Sequence, residues 1–255
     1  MNKEKILQRL CNDEDYYGDF GNQYLSNSHV GKLLKDPLNA FKPSKPSPAF
    51  LIGGYFHTCI LEPNKLDKFK IVKSSTRNTK AYKDVAGGEL CLLQHEVDTI
   101  ELMRQKVMDN DICKDLITLG DIEYEKPMIE EMFGNMWKGK ADIVTDSAFQ
   151  VIAEDKDGNE QVIDYSDGAV IDLKTTSDMT KFRYSFFTYN YDAQSYIYQR
   201  LFNKPMLFLI IDKQTMRLSM RPVSADTIER GKLKVEKATK IYEKFFTFNC
   251  NIFII

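Results

Sequence analysis

Asp172 and Lys174 stand two residues apart in VIDLKTT (Val170 to Thr176), and Asp142 stands in GKADIV (Gly139 to Val144) on an earlier strand-like segment. In an extended strand, residues i and i+2 point to the same face, so Asp172 and Lys174 project together, and a neighbouring strand brings Asp142 to the same edge. Two carboxylates with a backbone carbonyl, here that of Leu173, suit Mg²⁺ or Mn²⁺, which take oxygen ligands and keep waters that a substrate phosphate can replace. Lys174 then orients, or helps to deprotonate, an attacking water. The chemistry is hydrolysis of a phosphodiester, whose anionic oxygens repel nucleophiles until positive charge offsets them. A D-x-K triplet alone is weak evidence, because surface strands often alternate acids with lysines. Here the triplet follows an apolar Val-Ile pair and precedes Thr-Thr, at the end of a strand that reads as buried, where such groups are costly unless they have a use.

The surrounding pattern is mixed. From Ile122 the chain reads as strands: IEYEKPMIEEM, MWKGKADIVTD, FQVIAED, a turn over Asp155 to Asn159, EQVIDY and GAVIDLKTT. A short helix around Met179 to Phe187, a helix from Tyr191 to Phe202, the strands PMLFLIID and MRLSMRPV, and a helix from Ala225 to about Phe246 follow. Upstream, the opening to Gly21 reads as a short helix and loop. Ser26 or Ser28 caps a helix through His29 to Leu34 that Pro37 stops. AFLIGGYFHTCILEP is a buried helix that carries His57 and ends at Pro63. Lys70 to Ala86 reads as an exposed basic loop. Leu93, Val97, Ile100, Met103 and Val107 then mark the buried face of a helix that Asn110 and Asp111 break. The expected architecture is an α/β fold, a central mixed β-sheet flanked by helices. One domain is the default, with an N-terminal extension over 1–23, a core over 24–222 and a C-terminal helix and tail over 223–255.

Composition narrows the class without giving the activity. The chain has 255 residues, 43% hydrophobic and 28% charged, with a net charge of −2, so any nucleic-acid binding must come from local basic patches or a bound cation. Five cysteines without C-x-x-C spacing suggest reduced thiols and no zinc or iron–sulfur site. The start lacks the apolar core of a signal peptide and no run is long enough to span a bilayer, so a cytoplasmic protein without membrane partners is expected.

The ordered set Gly53, His57, Leu61, Glu62 and Pro63, then G-K-A-D, then I-D-L-K-T-T, then Gln194 and Tyr198 as Q-x-x-x-Y resembles the RecE-like phage and prophage exonucleases. These belong to the RecB-type branch of the restriction-endonuclease-like PD-(D/E)xK nucleases. The resemblance extends to YLSNSHVGKLLKDPLNAF and RNTKAYK, spanning roughly Tyr24 to Tyr198. It implies a PD-(D/E)xK core in which His57 lies near the metal, Asp142 and Asp172 bind it and Lys174 is catalytic. Gln194 and Tyr198 match a motif placed with the DNA-binding residues. Without the resemblance, His57 reads as a core histidine, and Gln194 with Tyr198 as two residues on one helical face. Glu131 is an additional candidate acid.

The same resemblance implies Mg²⁺-dependent digestion of linear duplex DNA from an end, 5′ to 3′, with the single-stranded tail passed to an annealing protein, and a ring-like homo-oligomer. Arg77, Lys80 and Lys83, with Lys181 and Arg183, are candidates for holding DNA phosphates; a solvated loop accounts for them equally. The basic C-terminal helix interleaves glutamates and reads as an ordinary charged face. The segment between Asp142 and Asp172 is a long hairpin-like excursion that departs from the family pattern and makes Asp164 and Asp167 look like ligands. Two other readings remain: a structure- or site-specific endonuclease on the same fold, and a non-catalytic DNA-end-binding module.

Overall fold

The computed structural model describes residues 1–154 and 159–247. Helices α1 (Lys3–Leu10) and α2 (Asp13–Tyr17) open the chain, and α3 (Asn27–Lys35) and α4 (Pro48–Leu61) follow. The short parallel pair β1 (Ile71–Val72) and β2 (Leu92–Leu93) encloses α5 (Lys80–Ala86). Helices α6 (Gln94–Met108) and α7 (Asp111–Thr118) then lead into strands β3 (Ile122–Met132), β4 (Asn135–Thr145), β5 (Phe149–Glu154), β6 (Glu160–Tyr165) and β7 (Ala169–Thr176). Helices α8 (Phe182–Thr188) and α9 (Tyr191–Phe202), strands β8 (Met206–Asp212) and β9 (Leu218–Pro222), and helix α10 (Ala225–Tyr242) complete the order.

Five strands form the central sheet in the order β3-β4-β7-β8-β9. All neighbours are antiparallel except β7 and β8. A parallel pair needs a long crossover, and α8 with α9 supplies it. Strand β8, MLFLIID, is buried at every position, as expected of an interior strand covered on both faces. On one face Trp137, Ala141, Val144, Val170 and Phe208 pack with residues of α3, α8, α9 and α10. On the other, Ile143, Ile171, Leu173, Leu207 and Leu209 pack with α4, α6 and α7. The excursion between the acid motifs is a separate two-stranded sheet, β5 with β6. Most of its predicted turn lies outside the described residues.

Two upstream expectations change. Lys70 to Ala86 is a loop only over 73–79: the Thr79 hydroxyl accepts from the Tyr82 amide to cap α5, and Tyr82 and Ala86 are buried. Asn110 does end the preceding helix, but its side chain caps a further one, α7, through the Cys113 amide at 2.9 Å. Among the described residues no helix is long and apolar enough to cross a membrane.

Candidate active site

Helix α4 delivers His57. The Ser47 hydroxyl accepts from the Phe50 amide at 3.3 Å and Pro48 occupies the first turn, a start that needs no donor from proline. Tyr55, Phe56, Cys59 and Leu61 fix the helix in the core, while the His57 ring stays 26% exposed with Nδ1 3.3 Å from Asp142 Oδ2.

Strands β3 and β4 break their ladder opposite this histidine. Tyr124 pairs with Ile143 and Lys126 with Ala141, which leaves Glu125 and Asp142 as unpaired residues facing each other. Glu125 sits at φ +48°, a left-handed conformation that non-glycine residues rarely adopt. The break resets the alternation of β4. Trp137 and Ala141 pack on the α9 face, Gly139 lies against Tyr198 and Leu201 of α9, Ile143 packs on the α4 face and Val144 returns to the α9 face. Asp142 and Ile143 are therefore successive side chains on the α4 side, as in a bulge.

Strands β4 and β7 part at the same level. Their ladder ends at Ile143 opposite Ile171, and in the gap beyond it the Leu173 amide donates to Asp142 Oδ2 at 2.7 Å. Asp172 is 1% exposed. Its Oδ1 accepts from Gln194 Nε2 of α9 at 2.5 Å, and its Oδ2 contacts Lys174 Nζ as an ion pair without a hydrogen bond of regular geometry. Lys174 Nζ lies 4.7 Å from the Tyr191 ring centroid and 5.8 Å from that of Phe208, so π faces and a carboxylate together fix the ammonium.

The electrostatics are those of crowded acids. Burial pushes the Glu125 carboxyl up to about 7, aided by the Asp142 charge and opposed by His57 and Lys140. Burial likewise lifts Asp172 to about 6, with Lys174 opposing and Asp142 adding to the rise. Burial pushes Asp142 the same way, but His57, Lys174 and the Leu173 amide outweigh it and hold the group below its ordinary value. His57 is raised because Asp142 outweighs the effect of burial. Ligand atoms of His57, Glu125 and Asp142 all lie within 4.8 Å of one another. Two carboxylates and one imidazole suit a divalent cation, and a cation there would offset both the burial and the Asp142 charge that raise Glu125.

Of the residues picked from the sequence, the fold brings His57, Asp142, Asp172, Leu173 and Lys174 to one place. Glu131 is not there: it pairs opposite Met136 and is exposed, some six strand residues or roughly 20 Å along β4 from Asp142. Asp164 is exposed on β6, and the Asp167 carbonyl accepts from Lys204 in a turn. Neither joins the cluster.

The predicted DNA-contact residues separate into two groups. Gln194 and Tyr198 are buried: the first holds Asp172, and the Tyr198 hydroxyl donates to the Lys140 carbonyl at 2.8 Å, so both face the sheet. Arg77 pairs with both oxygens of Glu96 at 2.8 and 2.6 Å and with the Cys91 carbonyl, which commits its fork to the fold. Lys80, Lys83, Lys181 and Arg183 are exposed, with Lys181 3.1 Å from Asp178 and Arg183 bonded to the Tyr184 hydroxyl.

Glu125 escaped the sequence reading. In the alternation of IEYEKPMIEEM it is one of several acids, and only the backbone break sets it apart.

Residues 31–153 match the family model of a PDDEXK-like domain of unknown function (DUF3799). That stretch includes His57, Glu125 and Asp142 and stops before Asp172 and Lys174. No curated protein matches the chain. The crystal structure of a candidate exonuclease from Eubacterium rectale superposes with a TM-score of 0.62 at 18% identity, covering 91% of this chain and 85% of that one. The crystal structure of SSO0001 covers 84% of each chain at 16% identity, but its TM-score of 0.31 carries no weight. A mixed five-stranded sheet flanked by helices, with these likenesses, makes the fold one of PD-(D/E)xK type.

Proposed function

We propose that the chain is a divalent-metal-dependent nuclease, and more specifically an exodeoxyribonuclease of RecE-like type that degrades linear duplex DNA from an end. The observation that carries this reading is the buried Asp172–Lys174 pair set beside Asp142, His57 and Glu125 where β4 and β7 part. Isolated buried charges are costly, and their convergence at a strand opening is what phosphodiester hydrolysis requires. The fold shared with a candidate exonuclease favours action on ends.

Asp142, Asp172, Glu125 and His57 would hold the cation, Mg²⁺ or Mn²⁺, with the Leu173 carbonyl, which in a strand projects to the same side as its amide. When bound, the ion supplies charge neutralisation and Lewis-acid polarisation of the phosphodiester. Lys174 Nζ donates to a phosphate oxygen or to the attacking water. Gln194 keeps Asp172 from turning away, and Tyr191 and Phe208 keep the lysine from swinging out. Digestion polarity of 5′ to 3′, an annealing partner that receives the single strand, and a homo-oligomer that encloses DNA extend the same reading.

The test is digestion of end-labelled linear duplex beside a covalently closed circle, with Mg²⁺ or EDTA, by wild type and Lys174→Ala. Loss of the linear DNA alone, dependent on Mg²⁺ and abolished by the substitution, is expected. Cutting of the circle would make the enzyme an endonuclease, and cleavage of neither would refute the nuclease reading.

A further inference from the structure

Beside the acid cluster, on the α4 side of β4, three lysines converge on one carboxylate. Lys140 Nζ is 2.6 Å from Asp13 Oδ1, and Lys68 Nζ is 3.8 Å from Asp13 Oδ2. Lys65, three residues before Lys68, also acts on Asp13 electrostatically while it pairs with Glu62 at 2.5 Å. Lys140 stands two residues before Asp142 on the same strand, within roughly 7 Å of it along the chain. Its charge reaches Glu125 as well. Lys65 and Lys68 follow directly on the helix that carries His57. We infer that Lys140, Lys68 and Lys65 form a phosphate subsite at the rim of the acid cluster, and that in the free protein the Asp13 carboxylate fills it in place of a phosphate of the substrate strand.

The side chain of Lys140 is only 4% exposed, and its ammonium lies against the rings of Tyr16 at 4.6 Å and Tyr17 at 5.4 Å. Asp13 is its one carboxylate partner among the described residues and is itself 41% exposed. A buried ammonium needs an anion, and a phosphate oxygen serves as well as a carboxylate oxygen. Helix α2 does not depend on Asp13 to stay in place. Tyr16 is buried with Leu10 and Ile129, and its carbonyl accepts from Lys138 Nζ. Displacing the Asp13 carboxylate thus opens the site without moving the helix. Tyr17, 69% exposed and close enough to feel the Asp142 and Glu125 charges, would flank the bound strand.

This inference rests on the nuclease reading, and the two fail separately. The probe is a fluorescent oligonucleotide, single-stranded or duplex, with a 5′-hydroxyl or a 5′-phosphate. It is titrated in Mg²⁺ against Lys174→Ala protein so that the strand is not consumed. Adding Asp13→Asn is expected to tighten binding roughly twofold to fivefold at low salt, the range of a partly screened charge contact, with the gain shrinking as salt rises. Lys68→Gln is expected to weaken binding and to lower the slope of log affinity against log salt by roughly 0.7 for a single strand. Lys68 is 47% exposed, so this variant keeps the test alive if Lys140→Gln does not fold. An equal gain on both 5′ ends assigns the subsite to a backbone phosphate, and a gain on the phosphorylated end alone assigns it to the terminal phosphate. A folded Asp13→Asn protein that binds no more tightly than its parent overturns the inference and leaves the nuclease reading standing. If the parent binds no strand at all, both fall.

Discussion

Gly139, the glycine of G-K-A-D, is expected to tolerate no side chain, and the reason is helix α9. A Cβ built there would lie 2.6 Å from Leu201 Cδ1, 2.8 Å from Tyr198 Cε1 and 3.2 Å from Tyr198 Cδ1, where ordinary contact begins at 3.4 Å. Leu201 can relax by turning its side chain about χ2. The Tyr198 ring cannot, because its hydroxyl is bonded to the Lys140 carbonyl at 2.8 Å and its edge meets Phe202 at a centroid distance of 5.9 Å. Either the ring gives up that bond or α9 moves outward. Overpacking of this kind costs about 1–3 kcal/mol, while replacing a strand glycine by alanine returns roughly 0.5–1 kcal/mol of chain entropy. Gly139→Ala should therefore destabilise by about 1 kcal/mol at the middle of these ranges and by no more than about 2.5 kcal/mol.

The assay is urea unfolding of wild type and Gly139→Ala, with Gly53→Ala and Gly54→Ala as controls. Those two glycines lie inside α4, and an added Cβ meets nothing within 4 Å. The same chemical change should there stabilise by up to about 1 kcal/mol. Opposite signs for the strand and helix substitutions are the expected result. A neutral or stabilising Gly139→Ala would refute the packing argument. The functional consequence follows from the helix: Gln194 lies one turn before Tyr198, so an outward shift of α9 draws its amide from Asp172, and nuclease activity should fall further than stability explains.

Three more outcomes are expected. His29 is buried, accepts the Ser26 amide through Nδ1 at 3.1 Å and is pushed down to about 4 by burial and by the Lys32 and Lys138 charges. Above pH 6.5 both states are neutral, but between 6.5 and 4 only the unfolded chain takes up a proton, so stability should drop by about 3 kcal/mol across that window; unfolding midpoints with the same pH slope in His29→Gln would refute this. Gln194→Ala removes a buried bond to a carboxylate, worth about 1.5–3 kcal/mol, and should lower activity by roughly tenfold or more as Asp172 loses its hold, measured by initial rates at saturating Mg²⁺. Arg77→Ala should cost about 1.5–3 kcal/mol in urea unfolding by removing the charge-assisted bonds to Glu96, which keeps only the Leu93 amide, and leave the salt dependence of DNA binding unchanged; weaker DNA binding at unaltered stability would return Arg77 to the phosphate contacts.

Much of the site could be read from the chain because strand alternation makes Asp172 and Lys174 neighbours whatever the tertiary context, and because the buried run beside them marks an interior strand. The limits lie where alternation fails. Lys70 to Ala86 looked like a loop because its local pattern is polar. Its order comes from the Thr79 cap and from Arg77 reaching Glu96 nineteen residues away, and periodicity cannot report a contact of that range. Gln194 and Tyr198 drew notice as a motif, but only packing shows that they face the sheet.

Glu125 is the sharper case, since its role depends on a backbone state. A strictly paired β3 and β4 would put Asp142 and Ile143 on opposite faces. The paired break leaves both on the α4 side and turns Glu125, at φ +48°, toward Asp142 and His57. Holding a non-glycine residue there costs on the order of 1–3 kcal/mol, and the Asp142 charge adds to what burial does to the Glu125 and Asp172 carboxyls. A fold under selection for stability alone gains nothing from either, whereas a site that must hold a cation against a phosphodiester gains from both. The strain and the crowding are therefore two consequences of one arrangement. Glu125→Gln should separate them, keeping the backbone break while relieving the repulsion: a more stable protein with a weaker affinity for Mg²⁺ is expected, and undiminished Mg²⁺ affinity would remove Glu125 from the cation site.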